Sequence, residues 1–188
     1  MISVAIVDDH PAVRMGLGAL VRREPGFSLS LNAPDGPEAT EELAKHPADI
    51  ALADFQLPSG DGISLCRRLK QLGSCRAAVL YSAFAGDWLA IAARVGGLDG
   101  VVSKGVPAEA LFEALRVVAK GGHSFPELGP AQMREASQLI DPDDQPLLGM
   151  LLGGTVETEA GPVLGLSGDL VTDRVDRMLA ALKPRALV

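Results

Sequence analysis

Hydrophobic and polar positions change rhythm repeatedly along the first two thirds of the chain. Ile2-Ser3-Val4-Ala5-Ile6-Val7 and Ile50-Ala51-Leu52-Ala53 are short apolar runs. Both read as buried strands, too short and too β-branched to favour helix. Pro11 to Arg23 is helical, with proline near the start, where its missing N–H costs nothing. Phe27-Ser28-Leu29-Ser30-Leu31 alternates as a strand does, and Asn32 to Gly36 is a turn cluster. Further along, the pattern predicts helix over Pro37 to Lys45 and strand over Asp49 to Asp54. A loop through Pro58-Ser59-Gly60-Asp61-Gly62 leads into a helix to about Leu72. Arg76 to Ser82 is strand, Gly86 to Val95 helix, Gly100 to Ser103 a short strand, and Pro107 to Lys120 helix. The glycines at 60, 62, 97 and 100 read as turn formers. Five strands alternating with five helices predict an α/β fold. Right-handed crossovers then give a five-stranded, doubly wound parallel sheet in the order 2-1-3-4-5, with helices on both faces.

After Gly121-Gly122 the rhythm changes. Residues 123–139 read as a linker in which Ala131 to Leu139 can form a helix. Asp141-Pro142-Asp143-Asp144 has the acids and proline of a helix N-terminus. Leu147, Leu148, Met150, Leu151 and Leu152 supply an apolar face that Gly153-Gly154 ends. A second short helix falls within Val156 to Leu164. Ser167 can cap a third running to about Leu182, with Leu170, Val171, Val175, Met178, Leu179 and Leu182 mostly on one side. The expected organisation is therefore an α/β domain over 1–122, a linker over 123–139, and a small all-α, helix-turn-helix-like domain over 140–188.

Composition narrows the class. Nearly half of the 188 residues are hydrophobic, ample for a core. No run of about 18 apolar residues exists, and no basic segment precedes the first strand, so neither a membrane span nor a secretory leader is expected. The reading is a cytoplasmic protein in which Cys66 and Cys75 are reduced thiols. His10, His46 and His123 have no ligand spacing, which argues against zinc. The net charge of −7 is uneven: residues 1–125 carry 12 Lys and Arg against 14 Asp and Glu, residues 126–188 carry 5 against 10. The C-terminal part is the acidic part.

Chemistry enters at the strand ends. Asp8 and Asp9 close the first apolar run and Asp54 closes the third strand. Ligands of parallel α/β sheets sit beyond the carboxyl ends of the strands, so these carboxylates converge. Crowded carboxylates repel unless a hard divalent cation joins them, and Mg²⁺, an oxygen-seeking ion, is the natural one.

The order of motifs is specific: Asp8-Asp9, then Asp54 with Leu57-Pro58-Ser59-Gly60-Asp61-Gly62 behind it, then Tyr81-Ser82-Ala83, then Gly97 to Gly105 with Lys104. Over about residues 1–122 this resembles the flavodoxin-like receiver domain of two-component response regulators. The resemblance implies that Asp54 is the phosphoacceptor, supplied by a sensor histidine kinase or a phosphotransfer protein. It implies Mg²⁺ bound by Asp9 directly, by Asp8 mainly through water, by Asp54 and by the backbone carbonyl of Gln56. Ser82 would bond one phosphoryl oxygen and Lys104 another. Phosphoryl transfer is mostly positioning and charge neutralisation, which suits this set. One departure is Val101, where receivers usually carry Tyr or Phe as a rotamer switch. Phe84 and Trp88, nearby in sequence, read as core and interface residues.

From Ile140 to about residue 183 the chain resembles the helix-turn-helix output domain of NarL/LuxR-type regulators. The resemblance places Thr172, Asp173, Arg174, Asp176 and Arg177 toward the DNA groove, with Asp169 at the helix start and Lys183 beyond. Acids there oppose phosphate binding, so weak DNA binding is expected. Gly161-Pro162 fall in the scaffold helix, where proline removes a hydrogen bond. The chain ends at Val188, leaving at most a stub of the family's fourth helix. The expected function is a response regulator, not an enzyme, that is phosphorylated on Asp54 to control a transcription-regulatory output and dimerises when phosphorylated. Two alternatives are a signalling adaptor whose output domain binds protein, and a Mg²⁺-dependent phosphatase. Asp54-Phe55-Gln56 lacks the Asp-x-Asp that such phosphatases place at the nucleophile.

Overall fold

The computed structural model describes residues 1–186, and these gather into two compact units. One comprises residues 1–83 and 98–125. The other comprises residues 84–97 and the chain from Pro126 on.

The first unit is built on a parallel sheet of β1 (Ile2–Val7), β2 (Phe27–Ala33), β3 (Ala48–Ala53), β4 (Cys75–Ser82) and β5 (Gly100–Ser103), in the order β2-β1-β3-β4-β5. Helices α1 (Pro11–Arg23), α2 (Gly36–Lys45), α3 (Gly62–Gln71) and α5 (Ala108–Ala119) belong to it, and α4 (Asp87–Val95) lies between β4 and β5 in the chain. Side chains on a strand alternate between faces. Val4 and Ile6, Ile50 and Leu52, and Val79 thus meet Leu17 and Val21 of α1 and Leu111 and Leu115 of α5 in one apolar cluster. Ala5, Val7, Ala51 and Ala53 occupy the other face and are equally buried. Each fully buried Ile, Leu or Val contributes about 1.5–3 kcal/mol, enough for these strands to dictate the sheet.

Four departures from the sequence reading have physical causes. Asn32 and Ala33 continue β2 instead of turning, because Ile6 and Val7 of β1 pair with them. Gly62 has no positive φ. It is glycine because a Cβ there would stand 2.1 Å from the Asp54 carbonyl oxygen. Gly100 likewise faces backbone, with the Ser124 carbonyl oxygen 2.7 Å from where its Cβ would be. Gly60 and Gly97 do adopt positive φ, as expected of turn formers. Residues 123–125 also do more than link. Ser124 accepts from the Val101 N–H at 2.9 Å and donates to the Asp99 carbonyl at 2.9 Å, extending the sheet beyond β5.

The second unit is helical: α4, α6 (Pro130–Leu139), a 3₁₀ turn at Pro142–Asp144, α7 (Gln145–Leu152), α8 (Glu157–Leu164) and α9 (Gly168–Ala186). α4 packs on α9, α7 and α6. Arg94 donates to the Leu152 carbonyl at 3.3 Å, satisfying an orphan acceptor at the end of α7. The Arg185 guanidinium lies 5.1 Å from the centre of the Trp88 ring. Trp88 is thus an interface residue of this unit, as expected, whereas Phe84 is 59% exposed and belongs to no core. The Ser167 hydroxyl accepts from the Leu170 N–H at 3.4 Å at the start of α9. Val171, Val175, Met178, Leu179 and Leu182 are buried. α8 continues past Pro162 to Leu164. In so short a helix the proline forfeits one bond, and Gly161 lets Val171 approach, its Cγ2 standing 3.1 Å from where a Cβ would be. α9 continues beyond Leu182, and residues 187 and 188 of any fourth-helix stub lie outside the described residues. No described helix is long and apolar enough to cross a membrane.

Candidate functional site

Sheet register assembles the site. Val7 of β1 pairs with Ala53 of β3, so Asp8 and Asp54 leave adjacent strands at the same level. The Asp54 N–H donates to the Val7 carbonyl at 2.8 Å and continues the ladder. Ser82 pairs with Ser103, and the Lys104 N–H donates to the Ser82 carbonyl at 2.9 Å. Asp8, Asp9, Asp54, Ser82 and Lys104 therefore all stand at the carboxyl edge of one sheet. Gln56 lies two residues past Asp54, exposed, in a small hairpin of Gln56–Leu57 with Gly60–Asp61.

Asp8, Asp54 and Ser82 are buried. The Lys104 ammonium donates to Asp8 Oδ2 and to Asp54 Oδ2, both at 2.7 Å. Burial pulls the Lys104 pKa down, but the hydrogen bonds to Asp54 and Asp8 and their charges outweigh it and hold it above the ordinary lysine value. The remaining carboxylate oxygens are held by backbone: the Phe55 N–H donates to Asp54 Oδ1 at 2.7 Å and the His10 N–H to Asp8 Oδ1 at 2.8 Å. Arg14 donates to the Asp8 carbonyl at 2.8 Å, tying α1 to the strand end. Ligand atoms of Asp8, Asp9, His10 and Asp54 all lie within 4.8 Å of one another. Asp9 Oδ1 is buried and accepts no hydrogen bond, although His10 Nδ1 stands 2.6 Å away. Three carboxylates within 4.8 Å of one another, two of them on Lys104, and an oxygen without a hydrogen bond fit a hard cation.

Two site features escaped the sequence reading. His10 adds an imidazole beside the carboxylates. Tyr81 precedes Ser82 on β4, with its ring centre 6.0 Å from the Lys104 ammonium and its hydroxyl 3.5 Å from the Lys104 carbonyl. Burial raises its pKa, against the pull of Lys104. Val101, at the usual aromatic position, is buried. The Tyr81-Ser82 dipeptide was the available signal, since alternation along β4 puts the two on opposite faces.

On α9, Asp169, Asp173, Asp176 and Arg177 are exposed while Thr172 and Arg174 are half-buried. Both arginines are engaged by Asp144, itself 1% exposed. Arg174 Nη1 stands 3.0 Å from Asp144 Oδ1 and donates to the Asp143 carbonyl at 2.8 Å. Arg177 Nη2 stands 3.1 Å from Asp144 Oδ2. No lysine or arginine occurs between Arg134 and Arg174, the stretch that builds α7, α8 and the start of α9.

Residues 4–116 match the family model described as the response regulator receiver domain. The chain is 30% identical over 193 residues to the DNA-binding transcriptional activator DevR/DosR of Mycobacterium tuberculosis, covering 97% of this chain and 88% of that protein. It is 26% identical to the nitrate/nitrite response regulator protein NarP of Escherichia coli, over 98% of this chain and 90% of the relative. The match to DegU of Brevibacillus brevis spans only 61% of that protein. Among solved structures, a LuxR-family two-component response regulator from Aurantimonas sp. SI85-9A1 aligns with a TM-score of 0.62 and 27% identity, over 73% of this chain and 96% of that one. The RcsB–DNA complex shares the fold over 96% of this chain and 91% of that one, with a TM-score of 0.64 at 22% identity. A parallel sheet that gathers Asp8, Asp9, Asp54, Ser82 and Lys104 at one edge, followed by a helical output segment and matched over nearly its whole length by such regulators, belongs to the response regulator family, with a NarL/LuxR-type output domain.

Proposed function

We propose that the chain receives a phosphoryl group on Asp54 and that this controls its output segment in transcription. The observation carrying this reading is the single Lys104 ammonium 2.7 Å from both Asp54 and Asp8. The Asp54 Oδ2 that bonds Lys104 is the nucleophile. It forms a P–O bond as the donor's P–N bond breaks, and the electron pair stays on the donor imidazole. Lys104 leaves its carboxylate partners for a phosphoryl oxygen, and Ser82 bonds another. Asp8, Asp9, Asp54 and the Gln56 carbonyl would hold Mg²⁺, which when bound neutralises the charge of the transferring group. The donor, a sensor histidine kinase or a phosphotransfer protein, has a landing surface on α1. Pro11, Ala12, Met15, Gly16 and Ala19 form an exposed, uncharged face that begins two residues after Asp9.

In this reading residues 1–122 act as the receiver, 123–139 as the connection and 140–188 as the output domain, in the cytoplasm, with phosphorylation favouring a homodimer. DevR/DosR is a DNA-binding activator. Here Thr172, Asp173, Arg174, Asp176 and Arg177 are the groove candidates, and the pairing of Arg174 and Arg177 with Asp144 supports weak direct affinity. A Kd of about 10⁻⁴ to 10⁻⁶ M at physiological salt is expected for the chain alone. The test is intact-mass analysis after acetyl phosphate and Mg²⁺ treatment. The wild type gains one phosphoryl group and Asp54→Asn gains none; equal labelling of Asp54→Asn overturns the assignment.

A further inference from the structure

The phosphoryl chemistry leaves the His10 side chain unused. His10 stands just before α1, a position that favours Ser, Thr, Asp or Asn, whose short side chains bond the first free N–H groups of the helix. The imidazole makes no such bond. Its backbone N–H donates to Asp8 Oδ1 at 2.8 Å and places residue 10 on the Oδ1 side of Asp8. There Nδ1 stands 2.6 Å from Asp9 Oδ1 and 3.4 Å from Asp8 Oδ1. Lys104 occupies the other side, bonding the Oδ2 atoms of Asp8 and Asp54. The contact with Asp9 is close but is not aligned as a hydrogen bond, since Asp9 Oδ1 accepts none. Nδ1 and Asp9 Oδ1 thus lie side by side instead of facing each other.

Two ligands of one ion stand in that relation. In an octahedral shell neighbouring ligands are about 3 Å apart, roughly 1.4 times a bond of about 2.1 Å. The two distances from Nδ1 bracket that value. One ligand atom each from Asp8, Asp9, His10 and Asp54 lies within 4.8 Å of the other three. The His10 side chain is 64% exposed, so the ring is open to an ion arriving from solvent. Donor chemistry then sets the class of ion. Carboxylates suit Mg²⁺, which takes oxygen ligands and keeps several waters. An imidazole nitrogen adds little for Mg²⁺ and much for the later first-row ions. We infer that His10 Nδ1 is a fourth protein ligand of this site and tunes it toward divalent transition ions such as Co²⁺, Ni²⁺ or Zn²⁺ relative to Mg²⁺. The inference rests on the reading of Asp8, Asp9 and Asp54 as a cation site. Histidine spacing could not reveal it, because the partners of His10 are carboxylates and not other histidines.

The test uses the full chain without an affinity tag and two probes, Co²⁺ and Mg²⁺, each titrated by calorimetry. Carboxylates alone already rank Co²⁺ above Mg²⁺, so the ratio of the two affinities is compared between variants. His10→Ala should weaken Co²⁺ about tenfold and Mg²⁺ less than about twofold. His46→Ala removes another exposed imidazole and should change neither. Asp9→Asn should weaken both ions. Circular dichroism and Trp88 emission establish that the variants are folded. Co²⁺ affinity unaltered in His10→Ala overturns the inference, as does an equal loss of both ions or a Co²⁺ site lost in His46→Ala instead. If Asp9→Asn weakens both ions in that event, the cation site stands and only the fourth ligand fails. A wild-type chain that binds neither ion overturns the cation site and the inference together.

Discussion

Lys104 and Asp54 are joined by a 2.7 Å hydrogen bond that Lys104 shares with Asp8. The resting site is thus a buried cation bridging two buried anions, and its balance changes whenever a phosphoryl group or a metal arrives. Removing the ammonium leaves two carboxylates facing each other. Lys104→Ala should cost about 3–5 kcal/mol, the usual penalty for breaking a buried pair, read as a lower urea midpoint. Its acetyl phosphate labelling should slow about a hundredfold. In Lys104→Ala/Asp54→Asn the repulsion is gone, so the stability loss should be smaller than in the single variant.

The pH dependence of that bridge has a fixed sign. Lys104's folded pKa lies above its ordinary 10.5. Its contribution is therefore complete from neutral pH up to the ordinary lysine value of 10.5 and fades as pH rises through the folded value. Urea midpoints of the wild type and Lys104→Ala should differ by a constant amount across neutral and mildly alkaline pH and converge only in strong alkali. Convergence already near pH 8 would contradict the ion-pair geometry.

Gly62→Ala tests the loop behind the phosphoacceptor. Its methyl would start 2.1 Å from the Asp54 carbonyl oxygen and 2.9 Å from Leu80 Cδ2. The carbonyl is backbone and cannot retreat without moving the strand end. A loss of about 1–3 kcal/mol is expected by chemical unfolding, together with weaker Asp54 labelling. Ala at Gly16, where nothing lies within 4 Å, should be neutral or slightly stabilising.

Asp144 is the keystone of the two α9 arginines. Asp144→Ala should destabilise the helical unit by about 3–5 kcal/mol, since the largely buried Arg174 loses its counter-charge. It should also raise non-specific DNA affinity and steepen its salt dependence by up to about two units, one for each cation released. Anisotropy titrations at two salt concentrations measure this. An unchanged slope would mean that neither arginine reaches phosphate.

Much of the fold and the site was legible in the sequence because its causes are local. β1 and β5 fall on their apolar runs, α1 spans Pro11 to Arg23 as its proline and periodicity predict, and the five strands take the order 2-1-3-4-5. The gathering of Asp8, Asp9, Asp54, Ser82 and Lys104 at one sheet edge was legible because strand ends are where parallel sheets place their chemistry. What was not legible depends on distant partners. Asn32 and Ala33 look like a turn until β1 supplies bonds, and Gly62 looks like a turn former until the Asp54 carbonyl occupies the space beside it. The pairing of Arg174 and Arg177 with Asp144, some thirty residues earlier, has no local signature. The grouping of residues 84–97 with the C-terminal helices has no local signature at all.

The bonds of Ser124 to Val101 and Asp99 also bear on one open edge of the sheet. β5 is the last strand of its sheet, and a bare last strand is a template onto which another chain can add. Residues 123–125 occupy that template from within. A cut at 122 that releases the chain beyond it would therefore do more than remove the C-terminal helices: it would uncover the Val101 amide and the Asp99 carbonyl beside the strand that ends at Ser103. A fragment ending at Gly122 should self-associate along that edge more than one ending at Phe125, as size-exclusion chromatography of the two would measure.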